Sequence, residues 1–360
     1  MSEKIAFVGW NPFQFRHIEQ IAQELPGCFY ILEKKKNNIE QFDKKLFSKH
    51  NVNVITWPSE KMYKLDGVFD YIVCQVPFNG IEKFQKSKIA FIQYGYAKDP
   101  HNYGLWRALA DINFTYGKYA SDRIKQFTDV CESGNPECEK WLSKKFHSES
   151  IAKYSRILEN KKTILYAPTW GDLSSVDEYI YSIITKLHFR FNIILKLHHN
   201  TDLIEKHRQE LKNIPNIHIA GANDDIWELL CVSDILISDY SGAIFDGVYA
   251  EIPIILLNTK NAINSKKEDI YSLEILHRGE IGVEVNSADS LDKIEYLYNK
   301  AVEIRDRHQI KKKLFTDCEQ PAKIIARELL ARISSPRTKP QIQRYINEYV
   351  RKTYVESKKK

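Results

Sequence analysis

Short apolar runs alternate with stretches of helical periodicity along most of the chain, a pattern that predicts strands and helices in turn. In the first half the runs are Ile5 to Trp10, Phe29 to Leu32, Val52 to Ile55, Tyr71 to Cys74 and Ile89 to Ile92, with a helix expected from about Phe15 to Leu25. The pattern restarts at Thr163 to Ala167 and continues through Asn192 to Leu197, Ile217 to Ile219, Ile235 to Ile237 and Ile254 to Leu257, with helices near 176–188 and 224–232. β-rich runs separated by helices predict parallel, doubly wound sheets. Gly134-Asn135-Pro136 is the last strong turn of the first half, and the charged, amphipathic stretch 137–158 follows it. The expected fold class is therefore α/β: two Rossmann-like domains facing a central cleft, with final helices that can cross back onto the first. The expected divisions are 1–150, 151–320 and a helical, basic 321–360.

Composition narrows the class. A chain of 360 residues, 43% hydrophobic and 28% charged, suits two soluble domains, and no apolar stretch reaches the roughly 18 to 20 residues that span a bilayer. Met1 to Lys4 leads straight into a strand rather than a signal peptide, and six cysteines form no C-x-x-C pair, so a cytosolic protein with free thiols is expected. The net charge of +6 is mild for a nucleic-acid binder, and no nucleic-acid partner is expected. The basic excess gathers at the end, from Arg337 through Arg344, Arg351 and Lys352 to Lys358–Lys360, where Ile342, Tyr345, Ile346, Tyr349 and Val350 repeat at helical spacing. Such a helix can pack on the body and offer its basic side to an anionic membrane surface at the inner face of the cell membrane; a solvated face with a frayed lysine tail accounts for it too.

Ligands in such sheets sit beyond the carboxyl ends of the strands, which directs attention to four segments. Asp234 to Leu256 holds a buried strand, a small-residue turn, a helix start and a second strand. A diphosphate there would meet the amides of a helix start, the Ser241 hydroxyl and the close approach that Gly242 permits, and Asp246 would reach ribose hydroxyls. An ordinary β-turn-α unit with a serine cap fits the same residues. Ala167-Pro168-Thr169-Trp170 brings the Thr169 hydroxyl to a strand end, or forms an ordered turn with a packed tryptophan. In Leu195-Lys196-Leu197-His198-His199, strand alternation puts Lys196 and His198 on one face, and His198 is either structural or a donor to phosphate. The fourth segment, from Phe91 to Gly104, is a polar and aromatic loop of the first half. In it Asp99 or His101 can serve as a general base, or simply shape a turn at Pro100. The absence of G-x-x-x-x-G-K-[ST] and G-x-G-x-x-G argues against P-loop kinases and typical dinucleotide dehydrogenases. Neither a metal nor a resident cofactor is expected, because protein donors would neutralise the diphosphate.

With these segments the chain resembles the CDP-glycerol glycerophosphotransferase family, teichoic-acid-type polyol phosphate transferases of GT-B fold. Ile164-Leu165-Tyr166-Ala167-Pro168-Thr169-Trp170 is similar to the family's strand-to-loop signature and Lys196-Leu197-His198 to its K-L-H element. Ser238-Asp239-Tyr240-Ser241-Gly242 through Phe245-Asp246, followed by Pro253, is similar to its [ST]-D-Y-S-S…F-D motif. Weaker similarity runs from Ile89 to Trp141, through Tyr116-Gly117-Lys118-Tyr119-Ala120 and the Gly134-Asn135-Pro136 turn. The resemblance implies an acceptor domain at 1–150 and a nucleotide-donor domain at 151–320, with a CDP-alcohol as co-substrate. It implies that His198 contacts the diphosphate, that Ser241 and Gly242 hold it, and that Asp246 binds ribose. Two positions depart from the family: Gln93-Tyr94-Gly95 stands where W-H-G is expected, and Gly171 where an arginine often follows A-P-T-W.

The expected function is transfer of a polyol phosphate, glycerol phosphate first, from a CDP-alcohol to a hydroxyl of a glycan or lipid-linked glycan acceptor in cell-surface polymer synthesis. Tyr94 and Gly95 would line the acceptor side, and either Asp99 or His101 would replace the missing histidine or the acceptor differs, since a tyrosine of pKa about 10 is a poor base. A nucleotide-sugar glycosyltransferase and a non-catalytic binding scaffold are the competing readings.

Overall fold

The structure is a computed structural model that describes residues 4–35, 47, 51–156, 158–198, 214–221, 224–264, 271–304, 306–335 and 341–357. The chain folds into two compact units, each around one all-parallel sheet. The first draws on residues 1–94, 103–142 and 313–360; the second on 95–102 and 143–312.

Seven strands form the first sheet: β1 (Ile5–Gly9), β2 (Phe29–Lys34), β3 (Asn53–Pro58), β4 (Tyr71–Cys74), β5 (Lys88–Ile92), β6 (Ile112–Thr115) and β7 (Val130–Glu132), in the order β3-β2-β1-β4-β5-β6-β7. Six form the second: β8 (Thr163–Tyr166), β9 (Asn192–Leu195), β10 (Ile217–Ile219), β11 (Ile235–Ser238), β12 (Ile254–Leu257) and β13 (Val283–Val285), in the order β10-β9-β8-β11-β12-β13. Both orders reverse direction beside the unit's first strand, which makes β1/β4 and β8/β11 the topological switch points. The strand residues of β8, β9, β11 and β12 are buried throughout, as expected of a parallel sheet covered on both faces.

The expected helix from Phe15 to Leu25 is in fact two short helices, Pro12–Arg16 and Glu19–Gln23, interrupted at His17 and Ile18. Gln14 takes part in tying the first of them to the end of β1, its Oε1 accepting the Trp10 N–H at 2.7 Å. Strand β9 ends at Leu195, so Lys196 and His198 lie beyond the sheet edge rather than inside a longer strand.

The last part of the chain belongs to the first unit. Thr316 N–H donates to the Tyr116 carbonyl at 2.9 Å, and helix Pro321–Ile333 buries Ala322, Ile325, Ala326 and Leu329 against Phe7, Phe15 and Tyr30. Lys88 Nζ donates to the Ile333 and Ser335 carbonyls at 2.9 and 2.7 Å, satisfying orphan acceptors at that helix's end. Helix Gln341–Ser357 docks through Val350 and Ile346, through Asn347 Nδ2 on the Ala108 carbonyl and through Arg351 on the Glu82 carbonyl. Tyr345 and Tyr349 of the expected apolar stripe are exposed, and Arg351 is spent on docking rather than turned to solvent. The terminal lysines Lys358–Lys360 lie outside the described residues. No helix among the described residues is long and apolar enough to cross a membrane, and all six cysteines are free.

The return of the chain meets Gly117 closely. A Cβ on Gly117 would overlap the backbone carbonyl oxygen of Leu314, which has no flexible atoms with which to yield. Gly117→Ala is therefore expected to destabilise the protein by about 1–3 kcal/mol, seen as a fall in Tm of several degrees. An unchanged Tm would contradict this packing.

Candidate functional site at the second switch point

Three loops leave the carboxyl edge of the second sheet next to one another, after β9, β8 and β11. The β8 and β11 loops are joined by Asp239. Its carboxylate is fully buried, Oδ1 accepting the Thr169 N–H at 2.7 Å and Oδ2 accepting the Ser175 N–H and Ser175 Oγ at 2.8 Å each. Burial pushes this carboxyl up from its ordinary range, while those donors and Arg278 pull it down. Tyr166, at the end of β8, joins the same network through a 2.8 Å contact between its hydroxyl and Ser175 Oγ.

Arg278 arrives from a later segment and fixes the other side of the β11 loop. It is buried, donating from Nη1 to the Asp239 carbonyl (2.9 Å), from Nη2 to the Leu257 carbonyl (2.7 Å) and from Nε to Asn258 Oδ1 (2.7 Å). Its guanidinium carbon stands 4.2 Å from the centre of the Tyr240 ring. Fork-like donation to backbone carbonyls holds a turn more rigidly than a lysine could.

The helix after β11, Ala243–Ala250, is capped by Gly242 rather than by Ser241. Ser241 Oγ accepts the Ala243 N–H at 3.3 Å, so the hydroxyl already sits among the first amides of the helix. Gly242 is exposed and a Cβ there would meet nothing among the described residues, so none of them demands the small residue. Asp246 lies on the first turn, half-buried. Thr169 is buried, and its backbone rather than its hydroxyl is what the Asp239 network uses. Lys196 Nζ donates to the Gly221 carbonyl at 2.6 Å, which anchors the β9 loop. His198 stacks on Trp170, with ring centroids 5.6 Å apart and planes 27° apart. His199 lies outside the described residues. Gly171, where the resemblance leads to the expectation of an arginine, adopts φ 72°, a left-handed conformation that favours glycine.

The loop carrying Gly95, Asp99 and His101 was expected in the first domain, but residues 95–102 group with the second unit. The cause is local. Lys98 N–H donates to Glu274 Oε1 (2.8 Å), Asp99 N–H to Ser272 Oγ (3.1 Å), and the Tyr96 ring packs 5.6 Å from Phe245. Lys98 Nζ lies 5.8 Å from the Trp170 ring, so this loop, Trp170 and His198 form one continuous row. Asp99 is buried and His101 exposed. Tyr94 stays with the first unit, partly exposed, beside His17.

Asp239 stands in the motif without an expected role; its signal in the sequence is a carboxylate directly after the buried strand Ile235–Ser238. Arg278, Ser272 and Glu274 carried no local signal, because their partners are distant in sequence. Glu274 is buried beside Asp99, with Oε2 lacking a hydrogen-bond partner among the described residues. Burial pushes its carboxyl up to about 7, Asp99 adds to the rise, and backbone N–H groups including that of Lys98 oppose it.

The two doubly wound parallel-sheet units, with these motifs at a switch point, define a protein of the GT-B class. A family model described as CDP-glycerol:poly(glycerophosphate) glycerophosphotransferase matches residues 118–318, a span that includes all three motifs after β8, β9 and β11, and the chain belongs to that family. It is 32% identical over 136 residues, 34% of each chain, to the teichoic acid poly(glycerol phosphate) polymerase of Bacillus spizizenii. It is 28% identical to the enzyme of that name from Bacillus subtilis, over 57% of this chain and 27% of the relative. The chain thus spans about a third or less of the length of the curated relatives it matches. In fold it is similar to the wall teichoic acid polymerase TagF, with a TM-score of 0.68 and 16% identity over 92% of this chain and 88% of that one. A UDP-GlcNAc 2-epimerase from Neisseria meningitidis also shares the fold, with a TM-score of 0.62 and 14% identity over 92% of this chain and 100% of that one.

Glu274 supplies a pH test. A carboxyl whose folded pKa is raised keeps a proton that the unfolded chain releases above its ordinary 4.5, so its contribution is present at low pH and lost as pH rises through about 7. Glu274→Gln is expected to gain stability relative to wild type between about pH 5 and about pH 8, by on the order of 1–3 kcal/mol in urea unfolding. A stability difference independent of pH would contradict a buried, protonated Glu274.

Proposed function

We propose that this protein transfers glycerol phosphate from CDP-glycerol to a hydroxyl of a glycan or lipid-linked glycan during synthesis of a cell-surface polymer. The observation that carries the reading is the convergence of the three family motifs, after β8, β9 and β11, at the switch point of one sheet. In this reading the diphosphate lies against the amides of 241–243 with the Ser241 hydroxyl, and His198, its ring plane set by Trp170, donates to a phosphate oxygen. Asp246 takes the ribose, while Asp239 and Arg278 keep the two loops in register without touching the donor.

The acceptor oxygen attacks the β-phosphorus, the bond from that phosphorus to the bridging oxygen breaks, and CMP leaves. Phosphoryl transfer of this kind depends on positioning and on stabilising charge at the phosphate oxygens, both of which prearranged amides and an imidazole can supply. No metal or cofactor is needed in this scheme. The protein would work at the cytoplasmic face of the membrane, where exposed Arg344, Tyr345, Tyr349 and Lys352 offer a basic and aromatic side to anionic lipid.

His198→Ala is expected to lower kcat by about 100-fold or more with the fold intact, as loss of an oxyanion-stabilising donor does elsewhere. Wild-type-like turnover in that variant would remove His198 from the site. Calorimetric titration with CDP and UDP separates this reading from a nucleotide-sugar transferase: tighter binding of CDP supports the CDP-alcohol donor, and tighter binding of UDP contradicts it.

A further inference from the structure

The backbone of Lys98 is fully engaged, in a left-handed conformation at φ 63°. Its N–H donates to Glu274 Oε1 at 2.8 Å, and its carbonyl accepts the His101 and Asn102 N–H groups at 2.9 and 3.1 Å. The ammonium is not. Half-buried, it makes no hydrogen bond or ion pair among the described residues and stands 5.8 Å from the centre of the Trp170 ring. Trp170 is exposed, and an exposed indole is a weak partner for an ammonium. Nor is Glu274 its partner: burial pushes that carboxyl up to about 7, and the Lys98 charge is the smallest of the influences opposing the rise. Lys196 and Arg278, by contrast, are tied to protein oxygens, Lys196 to the Gly221 carbonyl and Arg278 to the Asp239 and Leu257 carbonyls and Asn258. Within the second unit the loop 95–102 reaches two sides of the donor site, since Tyr96 packs on Phe245 in the first turn of helix Ala243–Ala250 while Lys98 faces the indole on which His198 stacks. Neither side is filled: a Cβ added at Gly242, at the helix start, or at Gly171, beside Trp170, would meet nothing among the described residues.

We propose that Lys98 is a further substrate-binding residue of this site, its ammonium donating to an oxygen of the donor diphosphate; the assignment rests on the transferase reading above. The diphosphate of a CDP-alcohol carries one negative charge on each phosphate, and the start of a helix offers roughly half an elementary charge against them. A cation is needed for the rest, and among the charged side chains of these loops Lys98 is the one whose ammonium the protein leaves without a partner. Its stem lies against Trp170, so the indole that sets the ring plane of His198 also directs the ammonium. The pinned backbone lowers the cost of ordering a long, flexible side chain, because Glu274 and Ser272 already hold the residues from which it springs. No proton moves and no bond to Lys98 forms. Its part is to offset charge on the diphosphate oxygens while the bond from the β-phosphorus to the bridging oxygen breaks and its electron pair leaves with CMP.

The test is calorimetric titration of the full chain with CDP at low and high salt, with Tm measured on each variant. Lys98→Met keeps an unbranched stem against Trp170 and removes the charge; it is expected to weaken CDP binding about tenfold or more with Tm kept, the scale of one hydrogen bond to a charged group. Lys98→Arg, which keeps the charge, is expected to stay within about threefold of wild type. Added salt is expected to weaken CDP binding by the wild type more steeply than by Lys98→Met, because the variant has one charge fewer to screen. A Lys98→Met protein that binds CDP within about threefold of wild type overturns the assignment. So does a salt dependence equal in the two, or a loss of affinity that comes with a fall in Tm of several degrees, which a purely structural lysine would give. A wild type that does not bind CDP at all overturns the CDP-alcohol reading itself, and this assignment with it.

Discussion

The buried carboxylate of Asp239 is the constraint on which the second unit's site depends. A charge with no access to water costs several kcal/mol unless its lone pairs are filled, and here three donors from the β8 loop fill them. The arrangement works in both directions. It makes the carboxylate tolerable, and it makes the exit from β8 follow the exit from β11, so that Trp170 and Ser241 keep fixed places relative to the same sheet edge. Arg278 then clamps the Asp239 carbonyl, so both the side chain and the backbone of one residue are held.

The same logic explains why fold and function separate. The epimerase and the polymerase whose folds resemble this chain differ in chemistry as their names describe it, and the doubly wound units alone do not choose between them. The loops at the carboxyl edge of the second sheet hold a hydroxyl among helix amides, an imidazole stacked on an indole, and a glycine at φ 72°.

Much of the architecture was legible in the chain because parallel strands covered on both faces must be apolar. Ile235 to Ile237 and Ile254 to Leu257 show this directly. Strands β6 and β13 are not legible in the pattern because their residues break that rule for local reasons. In β6, Asn113 is buried but satisfied by Arg107, which donates from Nη1 to its Oδ1 at 3.2 Å, so its polar letter hides a core position. In β13, Glu284 interrupts a three-residue edge strand. The motif loops were found by position, but the partners that give them shape were not: Ser175, Arg278, Ser272 and Glu274 act through bonds to residues far along the chain, which periodicity does not record. The grouping of 95–102 with the second unit goes with contacts of the same kind, two backbone N–H donations and a ring contact to residues far along the chain.

The central claim is that the start of helix Ala243–Ala250, beside His198, receives the donor diphosphate. A crystal structure of the full chain soaked with CDP-glycerol tests it most directly. The account predicts diphosphate density against the amides of residues 241–243 within hydrogen-bonding reach of the His198 ring, with the ribose toward Asp246. Nucleotide bound at any other edge of the second sheet, or ordered diphosphate out of reach of both the helix start and His198, would contradict it.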